Sequence, residues 1–176
     1  MRPALGIRSL VLVLALIALT VGTAGCGSKT VAVTSANGSV TTRTVPDVHF
    51  AKTKFVLHMG LAFGAFHRYV YKPYKAGAFS SGAQGRVKAL LKAASGAVFA
   101  VHELKTARDD ALSDSRLRPL AEKVEGLLGK LSSLGGSLKG GSLHPAAIES
   151  AAVAVTSLGA ASGGLGATIK EVAPAL

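Results

Sequence analysis

A stripe of apolar residues at helical spacing constrains most strongly what this chain of 176 residues can fold into. Seven side chains recur every three or four positions: Leu117, Leu120, Val124, Leu127, Leu131, Leu134 and Leu138. That spacing places all seven on one face of a helix. Pro119 fits in the first turn, where backbone N–H groups lack helical partners. The pair Gly135-Gly136 predicts the end of this helix, with Leu138 beyond it.

Three further segments have the same period, which predicts four amphipathic helices in all. They cover about residues 47–72, 83–112 and 145–172, and Pro73 is expected to stop the first of them. The connections are short, so that consecutive helices are antiparallel. The predicted fold is all-α, an up-down-up-down four-helix bundle over residues 47–176. A signal peptide (1–25) and a flexible tether (26–46) precede it.

Two glycine pairs lie on the predicted first and last helices. Gly60 and Gly64, like Gly159 and Gly163, are four residues apart, which leaves one side of each helix without side chains. In a membrane such a spacing favours helix pairing. Because Lys, Arg and His flank these pairs, we expect close packing within the bundle instead, and membrane insertion is the alternative.

The N-terminal segment has the layout of an export signal. Arg2 and Arg8 precede ten apolar residues, Leu10–Leu19, a run that is short for a membrane span. Small residues follow, ending in Thr23-Ala24-Gly25-Cys26, which holds the only cysteine of the chain. These four residues resemble the lipobox of bacterial lipoprotein precursors, although Thr23 stands where leucine is commonest.

That resemblance implies cleavage before Cys26 and a diacylglyceryl group on its sulfur. Two acyl chains hold a protein stably on a bilayer, whereas one holds it weakly. The mature chain, residues 26–176, is then expected on the outer face of a bacterial cell membrane. An uncleaved anchor helix is the alternative.

Residues 26–46 are rich in Ser, Thr and Gly and are interpreted as the flexible tether. A β-hairpin over residues 30–45 is the alternative. Val31 and Val33 alternate with polar residues, and Asn37-Gly38 is a hairpin turn signal. An isolated two-stranded hairpin is marginal in water, which favours the tether.

Charge is distributed unevenly along the chain, whose formal net charge is +11. From Arg43 to Lys92 there are nine basic residues and one acidic residue, Asp47. From residue 93 onward eight basic residues meet eight acidic ones. This asymmetry predicts an anionic partner, and a solvated surface that keeps the protein soluble is the alternative.

Residues 66–79 form the one stretch in which aromatic and basic residues alternate. The candidate ligand-binding residues are Arg68, Tyr69, Tyr71, Lys72, Tyr74 and Lys75. Rings that stack beside charges that neutralise suit an anionic wall polymer, a lipid head group or a partner protein. The exported location argues against nucleic acid. Alternatively, the rings close the corner between the first two helices and the charges face solvent.

Histidine offers a different chemistry, because four-helix bundles can hold metal or haem between helices. If the first two helices fold back near residue 80, His58 and His102 reach the same height, and Glu103 is adjacent. The chain has no Glu-x-x-His and no His-x-x-x-His motif, so that exposed or interfacial histidines are the expected outcome. Asp109-Asp110 is interpreted as a solvated helix end.

Motifs of common catalytic sites are missing from the sequence. There is no Gly-rich phosphate loop, no G-x-S-x-G and no H-E-x-x-H. A lipidated Cys26 cannot serve as a nucleophile. We therefore expect a protein that is not an enzyme and has no cofactor, with metal or haem binding through His58 and His102 as the alternative. The sequence leaves the oligomeric state open.

Overall fold

The computed structural model describes residues 27–34 and 38–176, and this part of the chain is mostly helical. It begins with two antiparallel strands, β1 (Ser28–Thr34) and β2 (Val40–Pro46). The pairing register matches Val31 with Arg43 and Lys29 with Val45. The prediction of a helical protein is confirmed, and the small sheet is an addition to it.

Four helical segments follow the hairpin. Helix α1 has an α-helical part, Ala51–Phe66, a π-helical turn, His67–Tyr71, and a last α-helical turn, Lys72–Lys75. Helix α2 is Arg86–Ser113, and helix α4 is Pro145–Gly164. Helix α3 begins with a 3-10 turn, Arg118–Leu120, and continues as Ala121–Lys139.

Contacts between side chains define how consecutive helices run. His58 of α1 meets Glu103 of α2, and farther along α1 the ring of Tyr69 packs on Gly96, which comes earlier in α2. Helices α1 and α2 are therefore antiparallel. Likewise, Arg108 near the end of α2 pairs with Glu125 near the start of α3, at 3.0 Å, and Arg86 at the start of α2 donates to the carbonyl of Gly141, just beyond α3.

The predicted flexible tether is wrong, because residues 28–34 and 40–46 form the two strands of the hairpin that was its alternative. Val31 and Val45 are 5% and 2% exposed and belong to the hydrophobic core. A hairpin alone is marginal, but this one has a helical surface to pack on. The Ser113 hydroxyl donates to the carbonyl of Pro46 at 2.7 Å and fixes the base of the hairpin to the end of α2. Asn37 of the predicted turn lies outside the described residues.

Pro73 does not stop the first helix, contrary to the prediction. The π-helical turn ends at Tyr71, two residues before it, and the N–H of Lys72 donates to the carbonyl of His67, five residues back. A proline in a regular α-helix lacks one hydrogen bond and clashes with the carbonyl four residues earlier. The wider turn accommodates the proline, and the helix continues to Lys75.

The ends of α3 and α4 also differ from the prediction. Gly135-Gly136 lies within α3, which continues to Lys139 and buries Leu138. Helix α4 ends at Gly164, so that Ile169 and Val172 of the predicted stripe lie in a nonhelical C-terminal segment, residues 165–176. By length and composition α4 could cross a membrane, yet its buried residues, Ile148 among them, join the core.

The C-terminal segment runs along α1 over the pair Gly60 and Gly64. The N–H of Val172 donates to the carbonyl of Gly60 at 3.0 Å. A Cβ atom at Gly64 would overlap the carbonyl of Val172, and one at Gly60 would overlap that of Lys170. The prediction of close packing at this glycine pair is confirmed, although the packed partner is an extended segment instead of a helix.

Candidate functional site

The predicted aromatic and basic stretch lies at the end of α1, which we call the basic corner (Arg68–Lys75). Arg68 is exposed, and its guanidinium carbon lies 5.6 Å from the centre of the Tyr69 ring. Lys72 and Lys75 are also exposed. Because successive residues turn about 100° around a helix, neighbours in the sequence face different parts of the molecule.

Tyr69 is buried and has a structural role. Its hydroxyl donates to the carbonyl of Pro174 at 2.6 Å and accepts from the N–H of Leu176 at 3.0 Å. The Tyr69 side chain fills the space over Gly96, where a Cβ atom would collide with the Cβ of Tyr69. The phenol therefore holds the C-terminal segment against α1 and α2, and its hydroxyl is not available to an exogenous ligand.

Tyr71, Tyr74 and Lys75 form a second group on the side facing α4. The two ring centres are 6.5 Å apart, and the Lys75 ammonium lies 5.9 Å and 6.0 Å from them. The same ammonium pairs with Glu149 of α4 at 3.6 Å. Because Glu149 neutralises part of the charge of Lys75, this lysine attracts an anionic ligand less strongly.

Tyr71 also lines a groove of about 500 Å³ between α1 and α4. Its other polar residues include Glu149, Glu171 and His67, and the Nδ1 atom of His67 is 2.9 Å from the Glu171 carboxylate. Apolar residues such as Val153 complete the lining. With two carboxylates, the groove does not favour an anion.

A depression between α1 and α2 has the opposite character. It has a volume of about 370 Å³ and is lined by Arg68, Tyr69 and Pro73 of α1, by Ala89 and Lys92 of α2, and by Ala175 and Leu176 of the C-terminal segment. Its two charged side chains are both cationic. The structure thus brings Arg68 to Lys92, a residue that the sequence-based list of site residues omits.

The charge around this depression is almost unopposed in the sequence. No acidic residue lies between Asp47 and Glu103, whereas eight Lys and Arg residues do. Among the residues that the structure describes, the only ion pair made by these eight is that of Lys75 with Glu149. The depression therefore lies within a cationic surface.

His58 contacts Glu103, and His102 is exposed. The Nδ1 atom of His58 lies 2.6 Å from Glu103 Oε2, and its Nε2 atom lies 4.0 Å from Asp110 Oδ2. Both carboxylates belong to α2 and are buried. In the alternative interpretation His58 would meet His102, but in the structure it meets Glu103, one position and about 100° farther around the helix.

Asp110 is buried, so that its interpretation as part of a solvated helix end is wrong. Its Oδ2 atom has no hydrogen-bond partner among the described residues. Burial raises the pKa of Asp110 to about 6, although the positive charges of His58 and Lys54 lower it. The nearby charge of Asp109 adds a smaller increase.

Clustered side chains that could hold a metal ion are missing from the described part of the chain. In residues 27–34 and 38–176 no group of three or more His, Cys, Asp or Glu side chains is arranged to hold a metal ion. Cys26, the predicted lipidation site, lies outside these residues. No protein-family model, curated protein or solved structure matches the chain. Its own residues therefore carry the functional argument.

Proposed function

We propose that this chain is a bacterial lipoprotein without enzymatic activity, anchored through Cys26 to the outer face of the cell membrane. In this proposal it binds an anionic component of the cell envelope or an anionic partner protein. The binding site is the depression between α1 and α2 with its cationic surroundings. The observation that carries the proposal is that Arg68 and Lys92, from two helices, line one depression.

The proposed specificity for anions follows from where the acidic residues lie. Glu149 and Glu171 are on the α4 side of the basic corner, where Lys75 and His67 contact them. The α2 side has cations on both walls. An anion entering there meets two positive charges without displacing an existing ion pair, and exposed Lys72 adds to the attraction at longer range.

We infer an up-down-up-down four-helix bundle as the frame that positions this site. The antiparallel contacts of α1 with α2 and of α2 with α3 support it. Lys130 of α3 donates to Ser150 of α4 at 2.8 Å, and Phe63 of α1 packs near Gly159 of α4. With Lys75 meeting Glu149, these contacts are consistent with α4 lying antiparallel to α1.

The lipid anchor rests on the sequence pattern that ends at Cys26. Its test is Cys26→Ser in the native host, followed by separation of membrane and soluble fractions. We expect the variant to be released or to accumulate as the unprocessed precursor, because the sulfur is the atom that accepts the lipid. Full processing with unchanged membrane retention would contradict the anchor.

The anion site is tested with a charge-matched pair of double variants. Arg68→Gln with Lys92→Gln removes both cations of the depression, whereas Lys105→Gln with Lys123→Gln removes two exposed cations elsewhere. Binding to polyphosphate and to polyglutamate is measured over a range of salt concentrations. Both polyanions keep their charge at neutral pH, and salt screens such contacts.

We expect wild-type binding to weaken as salt rises. The first double variant should bind about tenfold or more weakly, since two charge-assisted contacts are each worth on the order of 1 kcal/mol. The control should bind nearly as well as the wild type. Equal losses in the two double variants would show that only net charge matters, and would refute a localised site.

A further inference from the structure

The hairpin determines where the predicted lipid anchor meets the helices. The N–H of Asp47 donates to the carbonyl of Gly27, the residue that follows Cys26. The Lys29 ammonium lies 3.0 Å from the Asp47 carboxylate and 2.6 Å from the carbonyl of Ser113 at the end of α2. Gly27 is thus held at the end of the molecule where α1 begins and α2 ends, without the long tether that the sequence predicts.

The same end carries an exposed aromatic ring. Phe50 is 82% exposed and directly precedes α1. It is also the only non-glycine residue with a positive φ (58°) in the described part of the chain. Bulky side chains rarely adopt this left-handed conformation. A strained backbone and an apolar ring in water are two unfavourable features at one position. The contacts of Phe50 among the described residues compensate for neither of them.

Phe50 has cationic and apolar neighbours at this end. Lys52 is exposed, and its ammonium reaches Gly166, just beyond α4, where Leu165 is 41% exposed. The nearby carboxylate of Asp47 is already paired with Lys29. An apolar ring flanked by lysine is the combination that interfacial segments present to anionic lipid surfaces.

We propose that the end formed by Gly27, Phe50 and Leu165 sits on the bilayer to which Cys26 anchors the chain, with the Phe50 ring at the lipid interface. This rests on the proposed lipid anchor. Gly27 adjoins the anchoring residue, so that the occupant of this end is the lipid surface itself. Lys52 complements anionic head groups, and Phe50 and Leu165 supply the apolar contact.

This orientation restricts the classes of ligand that the basic corner can reach. Helix α1 runs from Ala51, at the lipid-facing end, to Lys75, over a length of roughly 35 Å at 1.5 Å per residue. Arg68 lies roughly 25 Å along it. These distances exceed the screening length of charges at physiological salt. The basic corner then reaches a polymer or protein above the membrane and not the head groups of the anchoring bilayer.

The chain has no tryptophan, which allows a direct test. Phe50→Trp and, as a matched control, Val87→Trp each introduce a single fluorophore at an exposed site. Val87 is 69% exposed and lies at the start of α2, the end remote from Gly27. The full protein is purified from its host and reconstituted in phosphatidylglycerol–phosphatidylcholine vesicles that contain brominated acyl chains.

We expect brominated lipid to quench Phe50→Trp at least threefold more than Val87→Trp, with a blue-shifted emission for the former alone. Equal quenching, stronger quenching of Val87→Trp, or no quenching of either would overturn the proposed orientation. His49→Trp, at the adjacent exposed position, provides a second probe if Phe50→Trp disturbs folding. It is judged by the same criterion.

Failure of the anchor and failure of the orientation can be separated. The intact mass of the purified protein shows whether Cys26 carries a lipid. If it does not, the proposed function fails, and the single thiol of the chain is coupled to a maleimide lipid before reconstitution. The quenching comparison then tests only whether this end of the molecule contacts the bilayer. The maleimide lipid is attached at Cys26, the same position as the proposed native lipid.

Discussion

Replacing the buried acid of α2, Asp110→Asn, should stabilise the protein at neutral pH. Asp110 is 2% exposed, and its Oδ2 atom has no hydrogen-bond partner among the described residues. Burial raises its pKa from 3.8 to about 6. The neutral acid is thus favoured in the folded state, and ionisation at higher pH destabilises the fold. Asparagine has nearly the same shape and cannot ionise.

The magnitude follows from the two pKa values. Below about pH 3 the acid is largely protonated in both states, and its ionisation costs little. As the pH rises from about 4 through 6, the unfolded chain ionises first, so that stability is lost over this window and remains lost above it. A difference of about two pKa units corresponds to about 3 kcal/mol at neutral pH. The attraction of His58 and Lys54 is already part of the shifted value.

Urea denaturation followed by circular dichroism at about pH 4 and about pH 7.5 measures this effect. The difference in free energy of unfolding between Asp110→Asn and the wild type should be roughly 2 kcal/mol more favourable to the variant at about pH 7.5 than at about pH 4. Asp109→Asn is the control, because Asp109 pairs with Arg108 at 2.9 Å on a more exposed surface. It should lose at most about 1 kcal/mol. If the Asp110→Asn difference is the same at both pH values, the reasoning fails.

Four further substitutions test the packing and the backbone conformation, each by thermal and urea denaturation. Gly64→Ala should destabilise by about 2 kcal/mol, because its methyl group meets the carbonyl of Val172, whereas Gly129→Ala, in open space within α3, should stabilise by up to about 1 kcal/mol. Equal effects would contradict the docked C-terminal segment. Phe50→Gly should stabilise by several tenths of a kcal/mol, as relief of the left-handed conformation outweighs the added flexibility of glycine; a loss would contradict strain there. Tyr69→Phe should lose about 1–2 kcal/mol with its two hydrogen bonds, and unchanged stability would count against this role.

Helical periodicity predicted four helical segments, and on α3 burial follows it closely. All seven residues of the stripe on α3, from Leu117 to Leu138, are at most 2% exposed. Local signals for helix ends were less informative. The penalty of Gly135-Gly136 is small enough for packing to override it, and Leu138 gains burial by continuing the helix. The predicted end of α1 at Pro73 depended on a clash between the proline ring and the preceding turn. The wider π-helical turn relieves this clash.

Long-range contacts account for the rest of the differences in fold. The hairpin is stabilised by the burial of Val31 and Val45 in the core, which an isolated hairpin does not have. The stripe on α4 continues in the sequence through Ile169 and Val172. The glycine pair of α1, however, offers backbone hydrogen bonding to an extended chain, as the contact of Val172 with Gly60 illustrates.

The candidate site was predictable in composition but not in arrangement. Arg68 and Tyr71 are three residues apart in one cationic, aromatic stretch, yet they line different concavities. The pairing of Arg68 with Lys92 depends on the register of α1 against α2, which periodicity alone does not determine. Glu103 and Asp110 are seven residues apart on the buried face of α2, a spacing that could have identified them as buried acids.

The intact mass of the protein isolated from its native host tests the central claim most directly. We predict a chain that begins at Cys26 and is heavier than the bare polypeptide by the mass of a diacylglyceryl group, with or without a further acyl chain. A protein that still begins at Met1 and has the mass of the unmodified 176 residues would contradict the account.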